Sequence, residues 1–259
     1  MNNPDSPRKQ PRGIYLLPNL FTTGAIFAGF YAIIAAINDD FEAAAVAIFI
    51  AMVLDGMDGR IARLTNTQSA FGAEYDSLSD MVSFGLAPAL VMYEWSLAGM
   101  GKLGWVAAFL YTAAAALRLA RFNTQVGSTD KRYFQGLASP AAAALMSGLV
   151  WFGNARGIEG EDAMVVAFVV TVLSGLLMVS KIRYNSFKEL DLKGRVPFVA
   201  VFLVVLVFVL VSIDPPQVLF GAFLLYALSG PVITLVHVRR RRALRRGSAT
   251  APDEHTSQR

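Results

Sequence analysis

The chain has 259 residues, of which 55% are hydrophobic and 16% are charged, and its formal net charge is +4. A soluble domain carries charge on about a quarter of its residues, so this composition indicates a membrane protein. The absence of cysteine excludes disulfides, thiolate metal sites and cysteine nucleophiles. The two histidines, His237 and His255, lie near the C-terminus, which leaves a histidine-based triad without a candidate in the apolar part of the chain.

The apolar segments predict an all-α, polytopic membrane protein with about eight transmembrane helices. Their lengths suit a hydrocarbon core about 30 Å thick at a rise of about 1.5 Å per residue. We predict a disordered cytoplasmic tail over 1–13, one integral-membrane domain over 14–238 and a basic cytoplasmic tail over 239–259. Pro88 and Pro231 fall within spans and are expected to kink them. The predicted spans are 14–37, 42–64, 72–95, 103–122, 139–155, 162–180, 196–213 and 216–238.

The first span opens with Pro18-Asn19-x-x-Thr22. Proline is common at a helix start, and polar residues are common at the membrane interface. Asn19 and Thr22 also share a helix face, and they could bond a nucleotide base. Both interpretations stay open at this point.

Four aspartates interrupt the second and third spans. Asp55 and Asp58 are three residues apart, and Asp76 and Asp80 are four apart, so each pair shares a helix face. The polar turn 65–69 lets two antiparallel helices aim both pairs at one point. A charge at the centre of a membrane helix costs about 2.5–3.5 kcal/mol, so these acids need compensation. Converging carboxylates suit Mg²⁺ or Mn²⁺.

Arg118 and Arg121 are three residues apart near the end of the fourth span. They could be snorkelling anchors at the membrane surface. Alternatively they recognise an anion, because a guanidinium matches carboxylate and phosphate geometry. Other cations in neighbouring connections compete for that role, namely Lys131, Arg132, Lys181 and Arg183.

The lysines and arginines set the predicted orientation. With eight spans and a cytoplasmic N-terminus, every basic residue except Lys102 and Arg156 falls in a cytoplasmic segment. This asymmetry predicts a multi-pass protein of the cytoplasmic (inner) membrane with both termini and the acidic motif on the cytoplasmic side. The arginines of 239–246 favour anionic headgroups as their partner, and we expect no nucleic-acid binding.

The acidic motif resembles the signature of the CDP-alcohol phosphatidyltransferase superfamily. The matching pattern is Asp55-x-x-Asp58-Gly59-x-x-Ala62-Arg63, eight residues, then Gly72-x-x-x-Asp76-x-x-x-Asp80. The resemblance implies two divalent cations, Mg or Mn, bound by the four aspartates, with Asp80 also acting as the general base. It further implies a CDP pocket shaped by Gly59, Ala62, Arg63 and Gly72, to which we add Asn19 and Thr22.

Further segments are similar to the bacterial and archaeal phosphatidylserine synthases of this superfamily. That resemblance implies transfer of the phosphatidyl group of CDP-diacylglycerol to L-serine, with CMP released, and a possible homodimer among membrane lipids. We assign the serine carboxylate to Arg118 or Arg121. The segments are Leu17-Pro18-Asn19-Leu20-Phe21-Thr22, Tyr75–Gly85, Arg118-x-x-Arg121-Phe122-Asn123 and Phe134-Gln135-Gly136-x-x-Ser139-Pro140.

Two rival functions remain at this point. Within the same superfamily, the acceptor could be glycerol phosphate or inositol phosphate, either of which needs a basic phosphate pocket. From another class, a cation-coupled secondary transporter would also hold acids within the membrane. The sequence shows no internal repeat, and its acids cluster in one adjacent helix pair, which favours the transferase.

Overall fold

The computed structural model describes residues 16–125, 133–185 and 198–248. The predicted tail 1–13, the end of the predicted tail 239–259, and Lys131 and Arg132 lie outside these ranges. Within them the α-helices are α1 (Leu16–Ile37), α2 (Phe41–Leu64), α3 (Ala70–Asp80), α4 (Ala87–Trp95), α5 (Lys102–Gln125), α6 (Ser139–Ala155), α7 (Met164–Val179), α8 (Phe198–Ile213) and α9 (Pro215–Ser248).

The predicted helical class is confirmed, and a helix occupies each of the eight predicted segments. The third segment consists of two helices, α3 and α4, which are joined by a π-helical turn, Met81–Leu86. α9 continues to Ser248 instead of ending at 238, since the arginines, alanine and leucine that follow are good helix formers. The sequence did not predict the short antiparallel pair of β1 (Tyr133–Gln135) and β2 (Arg183–Asn185).

Several helices are apolar enough to belong in a membrane. Three of the described helices are long and apolar enough to cross one by length and composition, namely Leu17–Ile37, Lys102–Thr124 and Pro215–Leu235. α7 is apolar but has only 16 residues. The aspartates and glutamates of α2 and α3 set these two helices apart from the three long apolar spans, which contain none. The protein is therefore a membrane protein whose charged helices pack among apolar ones.

Small side chains let the helices of the core approach closely. The facing sides of α1 and α2 are lined by buried alanines, including Ala28 and Ala32 on α1 and Ala44 and Ala51 on α2. Residues 141–150 of α6 are buried without interruption. Without a hydrophobic driving force between helices in lipid, such small residues allow close backbone packing. The helix that carries Asp55 and Asp58 is thereby held firmly against its neighbour.

The third segment also packs closely on α1. A side chain at Gly29 would lie 2.9 Å from both Cα and Oγ of Ser83, so only glycine lets the π-helical turn approach α1 at this point. Ser83 Oγ donates a hydrogen bond to the carbonyl oxygen of Ala25 at 3.0 Å. The kink expected at Pro88 takes the form of this turn, which ends two residues before that proline.

Candidate active site

Three of the four aspartates converge. Asp55 on α2 and Asp76 and Asp80 on α3 each offer a carboxylate oxygen within 4.8 Å of the other two. The helices are joined by the turn 65–69, as predicted, and Ser69 caps α3 by accepting a 3.0 Å bond from the Gly72 amide. The two helices therefore bring carboxylates to one point.

Asp58 has a different environment. It is buried, and its Oδ2 accepts a 2.6 Å hydrogen bond from Thr22 Oγ1 on α1. The Thr22 hydroxyl also lies 3.2 Å from the carbonyl oxygen of Pro18. Asp58 is not part of the three-carboxylate cluster, although it interacts electrostatically with Asp55 and Asp76. Thr22 thus contacts an aspartate of the motif, and its predicted contact with CDP stays a prediction.

Helix α1 links both halves of the acidic motif. The Thr22 side chain bonds Asp58 on α2, while the Thr22 carbonyl oxygen accepts a 3.2 Å bond from Ser79 Oγ on α3. Ser79 is buried and directly precedes Asp80. One residue of α1 is thus hydrogen-bonded to both acidic helices.

The carboxylates fit a divalent cation. Asp76 Oδ1 and Asp80 Oδ1 are buried and have no hydrogen-bond partner among the residues that the structure describes. Carboxylate groups at such short separation repel one another, and burial strengthens the repulsion. Oxygen ligands of this kind are those preferred by Mg²⁺ and Mn²⁺. The chemistry of the donor set therefore matches the predicted cofactor.

The remaining positions of the motif lie beside the acids. Asn19 Oδ1 is 3.7 Å from the point that a Gly72 side chain would occupy. A side chain at Gly59 would lie 3.6 Å from Arg63 Nη1, and the Arg63 charge acts on Asp58. Ala62 is half-buried on the same helix. These residues border the acids on the side where α1, α2 and α3 meet.

The two candidate arginines have different partners. Arg118 Nη1 donates to Ser139 Oγ at 2.8 Å, its buried Nε has no partner within the described residues, and its charge acts on Asp80. Arg121 Nη1 donates to the carbonyl oxygen of Val179, at the end of α7, at 3.1 Å. Of these two arginines, Arg118 is the one with an orphan buried donor within the described part of the chain. Of the competing cations, Lys181 is exposed, and the Arg183 side chain is outside the described part of the structure.

Sequence reasoning did not find two of these contacts. The Thr22–Asp58 bond joins residues on different helices, and no spacing rule relates them. Ser139 follows a glycine-containing connection and precedes a proline, so it looked like an ordinary helix start. Because α6 is packed centrally, its first residue comes beside Arg118.

Comparison with known proteins gives the same family as the acidic motif. The family model for CDP-alcohol phosphatidyltransferase matches residues 15–173, a range that includes all four aspartates and Arg118. A CDP-diacylglycerol–serine O-phosphatidyltransferase of Helicobacter pylori is 38% identical over 227 residues, which cover 87% of this chain and 94% of the relative.

Two other organisms have relatives with the same name and lower identity. The Methanocaldococcus jannaschii protein is 35% identical over 183 residues, 71% of this chain and 80% of the relative. The Bacillus subtilis protein is 31% identical over 173 residues, 67% of this chain and 92% of the relative. The family predicted from the acidic motif is confirmed: the chain belongs to the CDP-alcohol phosphatidyltransferase family.

Proposed function

We propose that this protein transfers the phosphatidyl group of CDP-diacylglycerol to the hydroxyl of L-serine, giving phosphatidylserine and CMP. The observation that carries the proposal is the position of Arg118, a cation with an orphan buried donor, beside the carboxylate of Asp80. An amino acid acceptor needs such a pair, a cation for its carboxylate and a base for its hydroxyl. The relatives named above support serine as the acceptor.

Asp80 is the proposed general base. The serine hydroxyl is a weak nucleophile, and a carboxylate within hydrogen-bond reach can take its proton during attack. The serine oxygen then forms a bond to the phosphorus of the phosphatidyl group, the bond from that phosphorus to the oxygen of CMP breaks, and CMP leaves with the electron pair.

Asp55, Asp58, Asp76 and Asp80 are the proposed ligands of two divalent cations. When bound, these cations would neutralise the pyrophosphate and the charge that develops on CMP. Asp55, Asp76 and Asp80 already lie together, and Thr22 orients Asp58 next to them. We therefore propose that Thr22 acts by holding Asp58, while Asn19, Gly59, Ala62, Arg63 and Gly72 border the CDP moiety.

Of the two candidate arginines, we propose that Arg118 binds the serine carboxylate. Its Nη1 is anchored by Ser139, which fixes the guanidinium plane and leaves Nε to donate. Arg121 is bonded to a carbonyl group at the end of α7, so its proposed role is to fasten that helix. The planar array of donors on a guanidinium suits a carboxylate.

The proposed topology has eight spans, a single domain over 14–238 and an active site open to the cytoplasm. Basic residues concentrate in or beside every second connection, and the connections between them have only Lys102 and Arg156, which supports this orientation. The candidate site lies at the end of the bundle that would face the cytoplasm. It is formed by the acids, by Arg118 and by the start of α6. Placement in the cytoplasmic membrane follows from this orientation.

Acceptor choice is tested with purified protein, CDP-diacylglycerol and Mn²⁺. We expect CMP release with L-serine, and little with glycerol phosphate or inositol phosphate, because the described residues beside Asp80 offer one arginine and no cluster of cations. Release of CMP only with a phosphate-bearing acceptor would contradict the serine assignment. Absence of release with every acceptor would contradict the transferase and favour a transporter.

Removal of the cations or their ligands should stop the reaction. We expect EDTA, or alanine at any one of the four aspartates, to reduce turnover to below about 1% of the wild-type rate, because buried acids would lose their counter-charge or a ligand. Asp80→Asn should retain nucleotide binding and lose about 10²–10⁴-fold in kcat. Asp162→Ala, at an exposed acid, is the matched control. Full turnover in EDTA would refute the metal centre.

Exchange of arginine for lysine separates the two candidate residues. Arg118→Lys should raise the serine KM at least about tenfold and leave the KM for CDP-diacylglycerol nearly unchanged, because lysine keeps the charge but loses the planar donors. Arg121→Lys is the matched control and should affect stability more than serine KM. Unchanged serine kinetics in Arg118→Lys and Arg118→Ala would place the carboxylate site elsewhere.

Reporter fusions test the proposed topology. We expect a reporter that is active only in the cytoplasm to work when fused after residue 259, and a periplasmic reporter to work when inserted in the turn 157–161 between α6 and α7. The reason is the bias of lysine and arginine toward the cytoplasmic connections. A C-terminus found outside the cell would refute the count of eight spans.

A further inference from the structure

The helix that carries Asp76 and Asp80 is interrupted directly after them. In the π-helical turn Met81–Leu86 the hydrogen bonds span five residues, as from the Ala87 amide to the Val82 carbonyl. Pro88 follows and has no amide hydrogen. The carbonyl oxygen of Phe84, four residues before Pro88, consequently has no α-helical donor. In an apolar bundle such a freed carbonyl must find another partner.

Tyr111 on α5 supplies that partner. Its hydroxyl donates to the Phe84 carbonyl oxygen at 2.9 Å, and the tyrosine is completely buried. The neighbouring Thr112 Oγ1 lies 3.4 Å from the carbonyl oxygen of Gly85 and 3.0 Å from that of Ala108 in its own helix. One hydroxyl of α5 thus binds a carbonyl of the π-helical turn, and the next hydroxyl along the chain lies near the following carbonyl while its shorter contact is within α5.

The opposite side of the same segment is bonded to α1. Ser79 donates to the Thr22 carbonyl oxygen at 3.2 Å, and Ser83 donates to that of Ala25 at 3.0 Å. Asp80 therefore sits in a segment that is fastened by hydroxyl groups on two sides. Loss of either side would let the segment rotate or shift, and a small displacement of Asp80 would change both its distance to Asp55 and its reach to the substrate.

We propose that Tyr111 is a positioning residue: by bonding the Phe84 carbonyl that Pro88 leaves free, it fixes the π-helical turn and thereby the direction of the Asp80 carboxylate. This inference rests on the proposed role of Asp80 as base and metal ligand. It assigns the buried tyrosine no contact with substrate.

A second route from Tyr111 to the active site must be distinguished. Tyr111 also interacts electrostatically with Arg118, which lies on the same helix face two turns later. If Tyr111 acted through Arg118, its removal would disturb serine binding. If it acts through the π-helical turn, its removal disturbs metal affinity and kcat, and the serine KM stays unchanged.

The chain provides a chemically matched control elsewhere. Pro231 lies inside α9, so the carbonyl oxygen of Ala227, four residues earlier, also lacks an α-helical donor. The buried hydroxyl of Tyr184, on β2, donates to it at 2.9 Å. Burial raises the pKa of Tyr184 to about 12, so this phenol remains a donor. The same bond, at the same kind of proline-freed carbonyl, thus occurs in α9 rather than in an acidic helix.

The experiment compares Tyr111→Phe, Thr112→Val and Tyr184→Phe in the purified full-length chain. Binding of Mn²⁺ is followed by the loss of the free-ion signal in electron paramagnetic resonance, without substrate. Steady-state kcat and both KM values are then measured, together with Tm. We expect Tyr111→Phe to weaken Mn²⁺ binding about tenfold and to lower kcat to a similar extent, because residues that orient metal ligands have effects of this size. The serine KM should stay unchanged. Thr112→Val should also lower Mn²⁺ affinity and kcat, but by less than Tyr111→Phe does.

Tyr184→Phe should lower Tm comparably and retain wild-type Mn²⁺ affinity. The inference would be overturned if Tyr111→Phe lowered Tm but kept wild-type Mn²⁺ affinity and kcat. It would also be overturned if the serine KM were the only kinetic or binding parameter that changed. If Tyr111→Phe does not fold, wild-type Mn²⁺ affinity and kcat in Thr112→Val would overturn it instead. Failure of the proposed function is seen separately, as a wild-type protein that binds no Mn²⁺ or makes no phosphatidylserine.

Discussion

Repulsion among half-buried carboxylates is the constraint on which the rest of this structure depends. Asp55, Asp76 and Asp80 bring oxygens within 4.8 Å of one another. At about 5 Å and an effective dielectric constant near 20, each pair of like charges costs about 3 kcal/mol. The helices could relieve this cost by moving apart, but the alanine-lined contact between α1 and α2 and the Gly29–Ser83 approach oppose it. The packing thus preserves an arrangement that a divalent cation would turn from repulsion into attraction.

The same constraint explains why the arginine that acts on Asp80 lies at the edge of the acidic cluster. Arg118 acts on Asp80 from α5, and its own position is fixed by Ser139 at the start of α6. A guanidinium placed among all of the acids would neutralise them and compete with a metal. Placed at the edge, it leaves the carboxylates free for cations and keeps its own Nε for a second anion. A zwitterionic acceptor whose hydroxyl lies one carbon away from the carbon that bears its two charged groups fits such an edge.

The sequence predicted the helical class, the eight helical segments and the acidic motif, because span length, apolar composition and carboxylate spacing are local properties. It did not predict that Thr22 would bond Asp58, since that contact depends on how α1 lies against α2. It treated Arg118 and Arg121 as equivalent, and their different partners become apparent only when the ends of α6 and α7 are in position. Pro88 signalled a distortion, but neither the π-helical turn nor its bond to Tyr111 has a local sequence signal.

Hydroxyl groups, rather than charges, hold the acidic helix in place. Ser79 and Ser83 bond α1, and Tyr111 and Thr112 reach the same segment from α5. In an apolar environment an additional charged anchor would itself need a partner and would perturb the carboxylates, whereas a neutral donor on a backbone carbonyl adds no net charge. The pairing of Tyr184 with the carbonyl freed by Pro231 shows the same solution in a helix without acids. Proline interruptions are therefore compatible with a rigid bundle here because a buried hydroxyl from a neighbouring element completes the interrupted helix.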